Sequence, residues 1–233
     1  MAESAEDTGQ SVSFSLDPGC RSAAGVQRCE AVDHVLGVSG AGPTLRAMTE
    51  DELMTALRAS VGQRDFAPPA THEAVAEAEE ACGYSLPPLL ARLLTQVANG
   101  DFGPRSGVAG VRGHEWRSTG FFEDMTEWAQ AAADDPEWGR RRWCLPLVQW
   151  GCAIATMIDC RDPAGPLWGW DPNLCCLDHA LFPLDQCLAQ MLEESLDADY
   201  PEPFYAGYFA DLRNTGGCEP LVWKNGRIAA GRE

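Results

Sequence analysis

The residues of this sequence best equipped for chemistry are its ten cysteines and four histidines. Cys175-Cys176-Leu177-Asp178-His179 is the densest grouping of metal-ligand types. No second pair stands at finger spacing, and the apolar neighbours fit core packing better than ligation. Cys144, Cys152 and Cys160 recur every eight residues, which on strands places them on similar faces in different parts of a sheet. A cysteine nucleophile needs a base within hydrogen-bond reach. His114 or His179 would have to supply it, and nothing local joins either to a thiol. The histidines, His34, His72, His114 and His179, form no HExxH pattern, and there is no GxSxG elbow. Gly107 to Gly113 matches neither the Walker nor the dinucleotide spacing. Carboxylates are plentiful, but no motif pairs them. The sequence therefore offers no catalytic residue, no metal site and no cofactor site.

What remains is charge. The formal net charge of the 233 residues is −18, a field that repels nucleic-acid phosphates and anionic membranes and speeds encounter with a basic partner. From Trp143 to Leu212 eleven carboxylates face Arg161 as the sole cation. Arg140-Arg141-Arg142 is the one basic run, and it reads as a solvated turn before a sheet or a clamp on an acidic face. No apolar stretch reaches eighteen residues, and Met1 to Gln10 carries acids where a secretory signal would carry bases. A cytoplasmic chain with reduced thiols is the expectation.

Residues 1–47 are rich in Ser, Gly and Ala, without sustained periodicity, and read as a flexible extension. From Thr49 the sequence is orderly. Thr49-Glu50-Asp51-Glu52 is a capping box before a stripe of Leu53, Met54 and Leu57. Thr71 caps a second helix with Val75, Ala78 and Cys82 on one face, closed by Gly83. Leu86-Pro87-Pro88 starts a third, with Leu89, Leu90, Leu93, Leu94 and Val97 as its stripe and Asn99-Gly100 as a left-handed C-cap. Residues 101–113 read as loop. Phe121, Phe122, Met125, Trp128 and Ala132 recur at helical spacing up to Asp134-Asp135-Pro136. Three short strands follow, Cys144–Trp150, Ala153–Asp159 and Pro166–Trp170, as an antiparallel meander. A last helix holds Leu184, Leu188, Met191, Leu192 and Leu196. The expected fold is α+β, with helices packed on a mostly antiparallel sheet, as one domain over residues 48–212 with a tail over 213–233.

Two blocks of this pattern are shared with a known family. Leu86-Pro87-Pro88-Leu89-Leu90, followed by Val97-Ala98-Asn99-Gly100-Asp101-Phe102-Gly103-Pro104, resembles the LP–NG–GP signature of the SUKH superfamily, the Smi/Knr-type group named for a yeast regulator of cell-wall assembly. Leu145 through Trp150-Gly151-Cys152-Ala153-Ile154, then Ile158-Asp159 and Gly165 through Asp171-Pro172-Asn173, resembles the core of its bacterial members. The resemblance spans roughly Thr71 to Leu196. It departs from the pattern at Pro88-Leu89-Leu90, where many relatives carry an aromatic, and at Trp168 and Trp170, which are bulkier than the usual residues.

The resemblance implies the same α+β fold and a non-enzymatic, intracellular protein-binding role. Many bacterial relatives are immunity proteins that neutralise polymorphic toxins, often nucleases or deaminases. A basic toxin domain is then the expected partner. Trp168, Trp170, Asp171, Asp178, Glu193, Glu194, Asp197 and Asp199 are the expected contact residues. The alternatives are a regulatory or scaffolding protein without a toxin partner, and a hydrolase using a cysteine or paired carboxylates. Met48, at the start of the orderly region, is a candidate alternative translation start. Mass spectrometry of the native N-terminus will show a species beginning there if it is used.

Overall fold

Thr49 and Glu52 exchange the hydrogen bonds that open the first helix. The Thr49 N–H donates to Glu52 Oε2 (2.7 Å) and the Glu52 N–H to Thr49 Oγ1 (3.3 Å), satisfying donors that a helix start otherwise leaves unpaired. The computed structural model describes residues 47–61, 66–104, 107–114, 124–136, 138–151, 154–172 and 180–197, with the backbone of 221–224 and 227–230. The expectations for 1–46, and for Phe121 and Phe122, lie outside the described residues.

Helix α1 (Glu50–Val61) buries Leu53, Met54 and Leu57. Helix α2 (His72–Cys82) starts under Thr71, whose hydroxyl accepts from the Ala74 N–H, and ends at a left-handed Gly83. Its stripe, Val75, Ala78 and Cys82, is buried as the spacing predicts. Helix α3 (Pro88–Gln96) opens on a proline where the missing N–H has no intrahelical partner to lose, and it buries four leucines. Helix α4 (Met125–Asp134) is capped by Asp124, whose carboxylate accepts from the Glu127 N–H at 2.8 Å. A short 3-10 turn, Trp138–Arg140, leads to the sheet.

The sheet is an antiparallel meander in the order β1-β2-β3-β4: β1 (Cys144–Gly151), β2 (Ile154–Asp159), β3 (Pro166–Trp170) and β4 (Leu181–Cys187). Every residue of β2 is buried, so both faces of the sheet are covered at its centre. Trp150, near the end of β1, is 1% exposed and donates from Nε1 to Thr156 Oγ1 on β2 at 2.8 Å. A buried indole N–H thereby finds the acceptor it needs. The α+β class and the antiparallel sheet agree with the sequence reading. A hairpin of β5 (Leu221–Lys224) and β6 (Arg227–Ala230) forms a separate two-stranded sheet, within the stretch read as tail.

One element was misread. Leu184 belongs to β4, and the helix that follows, α5, spans only Leu188–Glu194. Leu184, Leu188, Met191 and Leu192 fit a helical stripe, yet Leu181, Phe182 and Pro183 pair in register with Trp170, Gly169 and Trp168. Pro183 is tolerated because β4 is the terminal strand of its sheet.

Asn99 is also corrected. It is 4% exposed and does not cap α3, whose C-cap is Val97. Instead its amide grips the loop 107–114: Oδ1 accepts from the Val111 N–H (2.9 Å), and Nδ2 donates to the carbonyls of Val111 (3.2 Å) and Arg112 (3.4 Å). The same loop is held to β1 by the Ala109 N–H on Leu147 O (2.7 Å) and to the start of α4 by the Met125 N–H on Gly110 O (2.9 Å). Close approach demands glycine here. A Cβ at Gly107 (φ +90) would run into the backbone of Asp101.

Asn99→Ala leaves the buried Val111 N–H without its acceptor and the Val111 carbonyl with only the His114 N–H. It is predicted to lower unfolding free energy by about 3 kcal/mol, measured by urea denaturation. Asn99→Asp will not rescue it, because a carboxylate cannot donate to the two carbonyls.

Candidate functional site

The acids of α5 and those of α1 meet at one corner. The Met48 N–H donates to Glu193 Oε1 at 3.0 Å, tying the chain just before α1 to the last turn of α5. Glu50, Asp51 and Glu52 form the first turn of α1, and Glu193, Glu194 and Asp197 lie in or just after the last turn of α5. Arg92 of α3 answers two of them, at 2.8 Å from Glu50 and 2.7 Å from Asp51. The first-turn acids of α1 suit its helix dipole, whereas Glu193 and Glu194 oppose that of α5, which has no basic residue in its last turn.

Glu194 shows the electrostatic consequence. Partial burial pushes its carboxyl above the ordinary range, a hydrogen bond from Gln186 Nε2 (2.8 Å) counteracts this, and the charge of Glu193 reinforces it. Met48 precedes α1 and Leu196 follows α5. With Tyr84 they are the exposed large hydrophobic residues among those described.

The structure divides the eight expected contact residues. Glu193, Glu194 and Asp197 gather at this corner. Trp168 and Trp170 do not belong to it; they are half-buried in ring contacts that hold the 138–143 turn on the sheet. Trp168 packs edge-on against Trp143 (5.5 Å between centroids), and Trp170 against Trp138 (4.9 Å), which in turn meets Trp128 (5.1 Å). Arg161 lies 3.5 Å over the Trp143 ring while its guanidinium holds Asp159 at 2.6 Å. Asp171 is corrected: it is fully buried, so it offers no surface to a partner. Asp178 and Asp199 lie outside the described residues. Glu50, Asp51 and Glu52 were missed as contact candidates. Their capping-box pattern marked only a helix start.

The enzyme-like groups are disposed as follows. His114 is 2% exposed; its Nδ1 accepts from the Gly110 N–H at 3.3 Å, which leaves the proton on Nε2, 3.2 Å from Asp101 Oδ1. The contact is close but poorly aligned, and an imidazole so enclosed has no open path to a substrate. Cys82, Cys144, Cys160 and Cys187 are free thiols. The groups acting electrostatically on the first three include no histidine. Among the described residues no group of three or more potential ligands is placed to hold a metal ion, and no helix is long and apolar enough to cross a membrane. A groove of about 360 Å³ runs beside Asn99 between Pro68-Pro69 and Arg112. Glu77 and Arg112, both among its lining residues, form an ion pair.

Comparison with protein-family models, curated proteins and solved structures returns no match to the chain.

Because the carboxyl of Glu194 is raised in the folded state, the folded protein keeps that proton to higher pH than the unfolded chain does. Ionisation therefore removes stability as pH rises through the raised value. Glu194→Gln is predicted to stabilise the protein at neutral pH by no more than about 0.5 kcal/mol after solvent screening. The gain will disappear below the ordinary carboxylate range, as thermal denaturation at the two pH values will show.

Proposed function

We propose that this chain is a protein-binding module of SUKH type, acting inside the cell as an immunity protein that neutralises a basic toxin domain, nuclease- or deaminase-like, through an acidic surface. The observation that carries this reading is the corner where α1 begins and α5 ends. Six carboxylates and two exposed apolar side chains, Met48 and Leu196, lie in or next to these two helix ends, in a chain of net charge −18. Such a field steers a basic partner and then offers it apolar contact.

The residues that carry the family resemblance have architectural roles consistent with this reading. Pro87 and Pro88 start α3, Asn99 locks a loop and Trp150 fills the core. None of these roles requires chemistry. A module built this way presents a surface to its partner and converts no substrate.

The test is protection and binding with the toxin domain encoded beside this chain's gene. Cells producing that domain should survive when this chain is co-expressed. The variant carrying Glu193→Lys, Glu194→Lys and Asp197→Lys should lose protection. With the purified pair, that variant is predicted to associate about 10- to 100-fold more slowly at low salt, and salt should slow the unaltered protein more than the variant. Binding indifferent both to salt and to these reversals would exclude the electrostatic mechanism.

A further inference from the structure

Asn99 and Gly100 each answer a demand of the fold. Position 99 accepts from the Val111 N–H and donates to the carbonyls of Val111 and Arg112, which takes a primary amide. Position 100 takes glycine. Its φ is +96, and a Cβ there would stand 2.7 Å from His114 Nε2 and 2.8 Å from the Gly110 nitrogen. The two demands fall on adjacent residues and together produce an asparagine followed by glycine. In an open chain that pair is the one most prone to deamidate, because no side chain on the second residue hinders attack by its nitrogen.

In the native structure the groups that this reaction uses are tied down. The Asn99 N–H donates to Pro68 O (3.2 Å) and the Gly100 N–H to Ala98 O (2.9 Å). Nδ2, the nitrogen that would depart, is the donor to the two loop carbonyls. Asn99 is buried, which keeps it from the hydroxide and water that the reaction needs.

We infer that Asn99–Gly100 is a deamidation site that the closed 107–114 loop protects, so that a molecule whose loop opens becomes chemically unable to close it again. Hydroxide removes the proton of the Gly100 nitrogen, which attacks Asn99 Cγ. A C–N bond forms, the Cγ–Nδ2 bond breaks, and ammonia leaves with a proton from water, regenerating hydroxide. The succinimide ring that remains takes up one water at either of its two carbonyls. The product is an aspartate, or an isoaspartate whose backbone runs through the former side chain. An amide and a water have become a carboxylate and an ammonium ion, without any change of oxidation state. A carboxylate accepts from the Val111 N–H but has no hydrogen for the two carbonyls, and it places a charge where the amide was buried. Opening of the loop is reversible; the chemistry that follows it is not. This holds with or without a toxin partner.

The full-length protein, incubated at mildly alkaline pH in buffer and in urea sufficient to unfold it, then digested briefly with trypsin, tests it. The peptide 93–105 carries Asn99 as its one asparagine, so conversion reads as the mass difference between an amide and an acid. Conversion in buffer should be at least about 10-fold slower than in urea. Asn99→Asp, which makes the first of the two products directly, should lower the urea midpoint or fail to fold. Absence of conversion in urea, equal conversion in both conditions, or an Asn99→Asp protein with an unaltered midpoint would each overturn the inference.

Discussion

A segment with little regular structure, residues 107–114, stands between the helices and the sheet, and a primary amide fixes it there. Asn99 both accepts from and donates to the backbone of Val111, a pairing no carboxylate side chain reproduces. Held on that side, the loop also bonds Leu147 of β1 and Met125 of α4. The end of α3, the first strand and the start of α4 thus take their relative positions from one buried polar side chain. The nearby His114 and Asp101 are enclosed by the same crossing of backbones, and Gly107 permits the close approach.

The acidic corner is a product of this arrangement. Acids at the start of α1 are placed there by local chemistry, since a helix N-terminus welcomes them. Those at the end of α5 are set against its dipole. That they lie side by side depends on the packing of α1, α3 and α5 around the leucine stripes, with Arg92 reaching across from α3 to temper two of them. The tryptophans form a second system with a different task. Trp168 and Trp170 lock the turn that precedes the sheet, and Arg161 lies over the Trp143 ring while paired with Asp159.

Much of the fold was legible because its signals are local. Thr49, Thr71, Gly83 and Pro88 act within one helical turn, and the meander follows from short apolar runs broken by turn residues. What escaped depends on distant partners. Asn99 bonds a residue twelve positions on, so its sequence context showed only a plausible helix stop. The stretch 181–187 joins β3 through register, which a helix-compatible spacing concealed. The buried state of Asp171 and the meeting of the α1 acids with those of α5 are likewise tertiary facts. Cys144 and Cys160, read as lying in different parts of the sheet, share one end of the β1–β2 pair, because Cys144 stands opposite Asp159. The β5–β6 hairpin had a usable signal in Asn225-Gly226, the favoured two-residue turn between apolar strands.

The Met48–Glu193 hydrogen bond, between residues 145 positions apart, has a topological consequence. The core spanning 47 to 197 begins and ends at neighbouring points on its surface, as domains that accept insertion and circular permutation do. A short linker could join those two points and new termini could be opened in the Asp162–Gly165 turn without rerouting any core element. It also follows that any protein fused at either end of this core is delivered to the same acidic corner, where its own charge would compete with that of a docking partner.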